Sequence, residues 1–324
     1  MKKSILHLAS GALCASLLLG GSLSACAEGP SSVGSLKGPT SMGLVQFMNE
    51  EEASADPRFS FTMVTAADEL TALFTGGDVD FALLPANVAS VLYNKTNGNV
   101  QVIDINTLGV LYLVTADASI SGVGDLKGKT IYTTGKGQTP EYVLSYLLTA
   151  NGMTAEDVTI EFKSEATEVV SVLAQDPTAI GVLPQPFATV ACQQNETLQM
   201  VSDLTAEWDK TDKGSLVTGV TVVKKAFAQA NPEIVEDFLE AHEDSAEFVN
   251  GNTEEAAELV ASYGIVEKAA IAAKALPKCN ITYLDEEEMK TALSGYLQVL
   301  FDQNPESVGG TLPGDDFYYM ESED

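Results

Sequence analysis

The chain has 324 residues, of which 45% are hydrophobic and 19% charged, and its formal net charge is −29. This length and composition indicate a well-packed globular protein of about two domains of ordinary size. So large an excess of acidic groups repels phosphate backbones, which excludes nucleic acid from the expected partners.

The N-terminus has the pattern of an export signal. Lys2 and Lys3 precede a mostly apolar stretch from Ile5 to Gly21, and small residues then lead to Cys26. This combination is typical of a secretory signal peptide, and a cysteine directly after small residues resembles a bacterial lipobox. We therefore expect a diacylglyceryl group on Cys26 and an extracytoplasmic protein anchored to the cell membrane. The alternative is an ordinary signal peptide that happens to contain a cysteine.

Removal of the signal peptide, residues 1–25, would leave 299 residues with a net charge of −31, because Lys2 and Lys3 are lost. Residues 26–35 are mostly small and polar, and we expect them to form a short tether. No later apolar run reaches about 18 residues, so the sequence predicts no further membrane span.

Strand-like and helix-like segments alternate through the rest of the chain. The predicted strands are 59–64, 80–84, 100–105, 110–115, 130–134, 158–162, 179–183, 198–201 and 216–223. The predicted helices are 66–74, 87–95, 139–150, 167–174 and 187–194, followed by helices beginning near 231, 252, 268 and 286. Apolar strands alternating with amphipathic helices predict an α/β architecture with parallel sheets.

Two loops in different parts of the chain share a local pattern. Gly38-Pro39-Thr40 and Gly137-Gln138-Thr139 each place a glycine and a hydroxyl at the start of a helix. Backbone N–H groups at such helix starts hold anionic or strongly polar groups. In α/β sheets these loops follow the carboxyl ends of strands, where ligands bind. The alternative is that each threonine only caps its helix.

Several ordered motifs resemble the substrate-binding lipoproteins of bacterial ABC importers, in the branch grouped with nitrate, sulfonate, taurine and thiamine-pyrimidine uptake. The stretches that carry the resemblance are 36–43 (LKGPTSMG), 80–87 (DFALLPAN), 125–130 (DLKGKT), 137–144 (GQTPEYVL), 183–187 (LPQPF) and 310–319 (GTLPGDDFYY).

The resemblance implies a type 2 periplasmic-binding-protein fold, in which two α/β lobes are joined by two crossing segments and close on a ligand through a hinge. The crossings would lie near Thr115-Ala116 and Thr218-Gly219. The first lobe would contain residues 36–115 and 220–324, and the second lobe residues 116–217.

One departure from the family pattern concerns the first strand. Residues 31–37 contain only two apolar side chains, so a short first strand is expected. The residues expected to bind the ligand are Pro39, Thr40, Ser41, Met42, Pro85, Asn87, Gly137, Gln138, Thr139, Gln185, Trp208 and Thr218.

The basic residues suggest the charge of the ligand. The single arginine, Arg58, lies outside the matched cleft loops, although a bidentate arginine is the best clamp for carboxylate or sulfonate. Lys37 and Lys136 are the basic residues that adjoin these loops. We therefore expect a neutral or weakly charged small molecule, with an aromatic ring as one option.

Trp208 and the two remaining cysteines each have two interpretations. Trp208 lies near the second crossing, where it is either a stacking platform for the ligand or a packed helix residue. Cys192 and Cys279 fall in different predicted lobes, which favours two separate buried thiols over the disulfide that an exported protein permits.

Other classes of function fit the sequence less well. An enzyme built on His242 would need a nucleophile close to it, and this histidine is expected on the surface of a long helix. No metal site and no cofactor are expected. A surface lipoprotein that binds a macromolecular partner is a second alternative, and an enzyme of the thiamine-pyrimidine type on the same fold is a third, although that chemistry needs further histidine and cysteine groups. The resemblance favours a monomer that delivers its ligand to an ABC permease and its ATPase.

Overall fold

The computed structural model describes residues 29–211 and 213–321. The predicted signal peptide and the proposed lipidation site at Cys26 lie outside the described residues. Among those that are described, no helix is both long enough and apolar enough to cross a bilayer.

The first lobe is built on a six-stranded sheet in the order β11-β4-β10-β3-β1-β2. Its strands are β1 (Ser31–Leu36), β2 (Phe59–Val64), β3 (Phe81–Pro85), β4 (Val100–Leu108), β10 (Val217–Lys224) and β11 (Ile281–Leu284). The helices of this lobe are α1 (Pro39–Met42), α2 (Val45–Ala53), α3 (Ala67–Gly76), α4 (Ala86–Lys95), α9 (Lys225–Ala230), α10 (Pro232–Gly251), α11 (Thr253–Ser262), α12 (Ala269–Ala275) and α13 (Glu286–Gln303).

The second lobe is built on a five-stranded sheet in the order β7-β6-β8-β5-β9. Its strands are β5 (Leu111–Thr115), β6 (Thr130–Thr133), β7 (Thr159–Phe162), β8 (Ile180–Pro184) and β9 (Gln199–Asp203). Its helices are α5 (Thr139–Ala150), α6 (Ala166–Gln175), α7 (Phe187–Gln194) and α8 (Leu204–Asp209). The predicted two-lobed α/β fold is therefore confirmed.

The predicted tether extends too far into the chain. Residues 31–35 belong to β1, which pairs in parallel with both β2 and β3. The apolar pattern gives only a weak signal for this strand, because Gly34 is a buried position without a side chain. Helix α3 packs closely over Gly34, where a Cβ would lie 2.5 Å from a Leu70 methyl group. Ser32 adds polar pairing, since its N–H and its hydroxyl both donate to Asp80 Oδ2 at 2.8 Å.

The sheets are mixed rather than parallel. Strands β1, β2 and β3 are parallel, as are β6, β7 and β8, and helices alternate with the strands of each group along the sequence. Strand β10 runs antiparallel to β3 and β4, and β5 runs antiparallel to β8 and β9. Strands β5 and β10 are those by which the chain enters a lobe from the other one, and β11 is a further antiparallel strand beside β4 at the edge of the first sheet.

Both passages between the lobes lie earlier in the chain than expected. Strand β5 already pairs within the second sheet, so the first passage is at Gly109-Val110 rather than Thr115-Ala116. Val217 pairs with Leu108 of the first sheet, so the second passage precedes Thr218-Gly219. The first boundary was placed one strand too late because a strand entering a new sheet is as apolar as one ending the old sheet, whereas the second lies close to its expected position.

The two passages are packed against each other. A Cβ on Gly109 would lie 2.1 Å from Thr205 Oγ1 and 2.7 Å from Leu216 Cδ2. The Gly109 carbonyl also accepts a hydrogen bond from the Asn280 amide. Gly109 is thus required here by the close approach of α8 and the return segment.

Aromatic side chains connect the lobes beside these passages. Trp208 of α8 is fully buried, and its ring centroid lies 4.6 Å from that of Tyr146 and 5.7 Å from that of Tyr296. Tyr146 belongs to α5 of the second lobe and Tyr296 to α13 of the first. One apolar core therefore continues from lobe to lobe through these rings.

Replacement of Gly109 by alanine tests the packing of the passages. The new methyl group would overlap Thr205 and Leu216, so Gly109→Ala should lower the free energy of unfolding by about 1–3 kcal/mol, measured by urea denaturation. Gly251→Ala is the matched control, because no atom lies within 4 Å of a Cβ at that helical position. Equal stability of the two variants would contradict the packing argument.

The cysteines provide a second prediction. Cys192 and Cys279 are free thiols in different lobes, as expected. Burial raises the pKa of Cys279 to about 12 and also raises the pKa of the half-buried Cys192. The reactive thiolate exists only above the pKa, so at about pH 8 roughly one Cys279 thiol in 10⁴ is ionised. Iodoacetamide should label Cys192 slowly and Cys279 more slowly still, and peptide mapping after unfolding should show rapid labelling of both.

Candidate functional site

A cleft pocket lies between the lobes at the carboxyl ends of β1, β2, β6 and β7. Its volume is about 590 Å³. The first lobe contributes Lys37, Gly38, Thr65, Ala66 and Ile265, and the second lobe contributes Thr134, Gly135, Lys136, Gln138, Pro140, residues 163–167, Pro186 and Phe187. The parallel strands of the two sheets therefore end at one shared pocket, as ligand sites in α/β proteins do.

Three lysines line the cleft pocket. Lys37 follows β1, Lys136 follows β6 and Lys163 follows β7. The Lys163 ammonium lies 3.3 Å from Glu161 and 5.2 Å from the centroid of the Tyr132 ring. Within the described residues neither Lys37 nor Lys136 forms an ion pair.

Two helix N-termini add positive potential to the same pocket. Helix α5 begins after Gln138 and α3 begins after Ala66, and neither of these residues caps its helix with a side-chain hydrogen bond. Unpaired N–H groups at a helix start carry partial positive charge. Acidic residues partly offset this charge, since Glu165 lines the pocket and Glu141 accepts a hydrogen bond from the Gly137 N–H.

A smaller cavity of about 220 Å³ adjoins the cleft pocket and shares Gln138 with it. Asn87 of the first lobe lines this cavity together with Gly137, Gln138 and Tyr142 of the second. The Asn87 side chain is 3% exposed, and its Oδ1 has no hydrogen-bond partner among the residues that the structure describes. Folding thus brings together three of the residues that the sequence assigned to the ligand, from opposite lobes.

The expected residues of α1 are used mainly inside the first lobe. The Thr40 hydroxyl donates to the Leu36 carbonyl, and the Ser41 hydroxyl lies 2.7 Å from that of Ser35. Met42 is fully buried, and its sulfur lies 3.7 Å from that of Cys279. Neither cavity is lined by these three side chains.

The other expected residues lie around the cleft without lining it. Pro39 is the first residue of α1, Pro85 precedes α4, and Thr218 is a half-buried residue of β10. Thr139 is buried at the start of α5, and within residues 29–211 and 213–321 its hydroxyl has no hydrogen-bond partner. Gln185 points into the second lobe, where it contacts Thr189 and Met200, so the neighbouring Pro186 faces the pocket instead.

Trp208 is a packed helix residue. It has no exposed surface, and its indole N–H donates to the Gly214 carbonyl at 2.9 Å. It therefore does not provide a stacking surface in the cleft, and it packs against Tyr146 and Tyr296 instead.

The expectation that His242 is a surface residue is wrong. His242 is fully buried, and its Nδ1 lies 3.0 Å from Asp104 Oδ2. A helical pattern alone does not reveal this burial, because the partner lies 138 residues earlier in the chain. Arg58 lies outside both cleft cavities and pairs with Asp237.

Sequence reasoning missed several residues of the pocket, in particular Thr65, Lys163 and Thr167. They follow β2 and β7, two strands whose positions were predicted correctly or within one residue. The rule that ligands lie beyond strand ends, applied to every parallel strand, would have included these loops. Among the described residues, no group of three histidine, cysteine or acidic side chains is arranged to hold a metal ion.

The two lobes, their mixed sheets and the intervening cleft define the fold of the periplasmic binding proteins. A structure described as an ABC transporter of Parabacteroides distasonis has a TM-score of 0.78 and 22% identity, over 90% of this chain and 99% of that one. The periplasmic aliphatic sulphonate binding protein SsuA of Escherichia coli has a TM-score of 0.74 and 14% identity, over 92% and 94% of the two chains.

Sequence comparison assigns the family. Residues 65–256 match the family model described as NMT1/THI5 like, and the chain belongs to that family. A Brucella abortus protein with the provisional description of a binding protein is 23% identical over 254 residues, which are 76% of this chain and 74% of that protein.

Proposed function

We propose that this chain is an extracytoplasmic solute-binding protein of the ABC-importer type, and that it captures a small acidic molecule between its lobes. The observation that carries the proposal is the convergence of Lys37, Lys136 and Lys163 from two lobes on one pocket. A ligand that contacts lysines of both lobes favours the closed arrangement, and the closed population rises by the ligand's preference for it.

The acidic ligand replaces the neutral one expected from sequence. That expectation depended on the absence of arginine from the matched cleft loops and on the presence of only two lysines beside those loops. Lys163 adds a third ammonium, and lysine binds acidic groups as a point charge without the paired geometry of arginine. The fold relative from Escherichia coli is named for binding aliphatic sulphonates, which are acidic molecules.

The export signal and the fold together support the rest of the proposal. After cleavage, Cys26 carries a lipid that keeps the protein at the outer face of the cell membrane. An ABC permease and its ATPase receive the ligand there. A monomer is sufficient for this cycle, because both halves of the cleft pocket come from one chain.

The buried position of His242 supports binding rather than catalysis by a histidine-dependent nucleophile. Its side chain has no exposed surface and does not line either cleft cavity. A substrate in the cleft would therefore not reach the imidazole, whereas general-base catalysis needs contact within hydrogen-bond distance. We accordingly propose that no reaction occurs in the cleft.

Pairs of compounds that differ in charge but not in shape test the ligand class. Calorimetric titration of the mature protein should show tighter binding of benzoate than benzamide, or of ethanesulfonate than ethanesulfonamide. For a pair that binds, Lys136→Gln and Lys163→Gln should each weaken the acidic member by about tenfold, which is about 1.4 kcal/mol, through loss of attraction.

Lys127→Gln is the matched control for the lysine variants. It removes the same charge from the second lobe, but Lys127 is exposed, pairs with Asp157 and does not line the pocket. Its affinity should stay within about twofold of the native value. Tighter binding of the neutral members, or equal losses in all three variants, would contradict an acidic ligand in this pocket.

The lipid anchor is tested separately from ligand binding. In cells that express the full chain, the native protein should be found in the membrane fraction, and Cys26→Ala should appear as soluble exported or uncleaved protein. Mass spectrometry of the N-terminal peptide should detect diacylglycerol on Cys26 of the native protein. An unmodified Cys26 in a correctly exported protein would exclude the anchor and leave the cleft proposal unaffected.

A further inference from the structure

A chain of buried polar side chains begins at His242 in the first lobe. His242 of α10 and Asp104 of β4 have no exposed side-chain surface and are hydrogen-bonded at 3.0 Å. The other carboxylate oxygen, Asp104 Oδ1, accepts a hydrogen bond of 2.8 Å from the hydroxyl of Thr221 in β10. A buried carboxylate needs such donors, because each unmet acceptor in the interior destabilises the fold.

The series of hydrogen bonds continues from Thr221 to Asn106, beside the return strand β10. The Asn106 amide donates to the Thr221 hydroxyl at 3.2 Å, and the Asn106 oxygen accepts from Thr107 at 3.0 Å. A Cβ on Gly219 would lie 2.4 Å from Asn106 Oδ1 and 2.8 Å from Thr40 Cγ2. Asn106 and Thr40 therefore both pack against Gly219 of the return strand β10, one residue after Thr218.

The opposite side of the imidazole faces the turn that follows α1. His242 Nε2 lies 3.9 Å from the Cβ position of Gly43 and has no hydrogen-bond partner in the described part of the chain. One turn further along α10, the Ser245 hydroxyl donates to the Gly43 carbonyl at 2.7 Å and accepts from the Phe47 N–H at 3.2 Å. Helix α10 thus contacts Gly43 through both His242 and Ser245. Gly43 belongs to the segment of residues 38–44, which we call the cleft turn.

We propose that His242, acting through Asp104, is a positioning residue for the cleft: it holds the turn at residues 38–44 and the return strand at Gly219 in the arrangement that receives the ligand. His242 does not touch the ligand. The hydrogen bonds that join Asp104 to Thr221 and Thr221 to Asn106 fix the position of Asn106, which packs beside Thr40. The role of this turn in ligand binding rests on the proposed function, whereas the positioning itself does not.

Amide hydrogen exchange of the mature protein without ligand tests the positioning. The N–H groups of Ser41, Met42, Gly43 and Leu44 bond within the turn, and their peptide reports its opening. In His242→Leu this peptide should exchange about tenfold faster than in the native protein, while the peptide of β3 in the same sheet changes less than about twofold. Because no ligand is present, the result is independent of the ligand screen.

Two further variants separate positioning from general stability. In His242→Asn the amide nitrogen takes the place of Nδ1 and keeps a donor to Asp104, so exchange of the turn should return to within about threefold of native. Thr221→Val keeps the His242–Asp104 pair but removes the hydrogen bonds that lead to Asn106. It should therefore also speed amide exchange of the turn more than that of the β3 peptide. This variant keeps the test available if His242→Leu does not fold.

The proposal is overturned by either of two results. Turn exchange that stays within about twofold of native in His242→Leu and Thr221→Val would show that the chain does not hold the turn. Equal acceleration of the turn and of the β3 peptide would show that His242 serves only the stability of the whole lobe.

Discussion

The close contact of the two interlobe passages at Gly109 is the constraint on which the cleft depends. Leu216 and Thr205 occupy the space where a side chain at residue 109 would be, so the two passages lie side by side. From this point β5 continues into the second lobe, where it pairs with β8, and β10 continues into the first lobe, where it pairs with β3. The carboxyl ends of the parallel strands in both lobes consequently border one pocket, although each lobe has its own sheet.

Charge distribution gives that pocket a character different from the rest of the molecule. The chain contains 46 acidic residues and 17 lysines and arginines, yet three lysines line the cleft pocket with Glu165 as its acidic member. A cleft with low-dielectric walls focuses such local charge, whereas exposed acids elsewhere are screened over about 8–10 Å by salt. A negative net charge is therefore compatible with an acidic ligand, because the ligand responds to the nearest groups.

Local sequence signals predicted elements better than they predicted side-chain environments. Helices Thr139–Ala150 and Phe187–Gln194 have the predicted bounds, because Pro140 and Pro186 mark their starts and Gly152 follows the end of the first. Residues 31–35 of β1 were assigned to the tether and only a short first strand was expected, because the buried serines carry no apolar signal. The burial of this strand depends on the approach of α3 over Gly34. Gln185 was expected to bind the ligand, but the folded backbone turns its side chain toward Thr189 and Met200, and Pro186 lines the pocket.

The same distinction explains why the buried Asp104–His242 pair of the first lobe was not recognised from sequence. Asp104 lies between two isoleucines in a strand that contains other polar residues, and His242 lies on a helix with many exposed acids, so neither residue alone indicates a buried pair. Their pairing requires β4 and α10 to be packed together, and Thr221 then joins them from the strand that returns from the second lobe. A buried polar chain tolerates few alternative geometries, because each displaced member leaves an unpaired group in the core. It therefore suits a part of the lobe where the turn at residues 38–44 and the return strand keep one relative position.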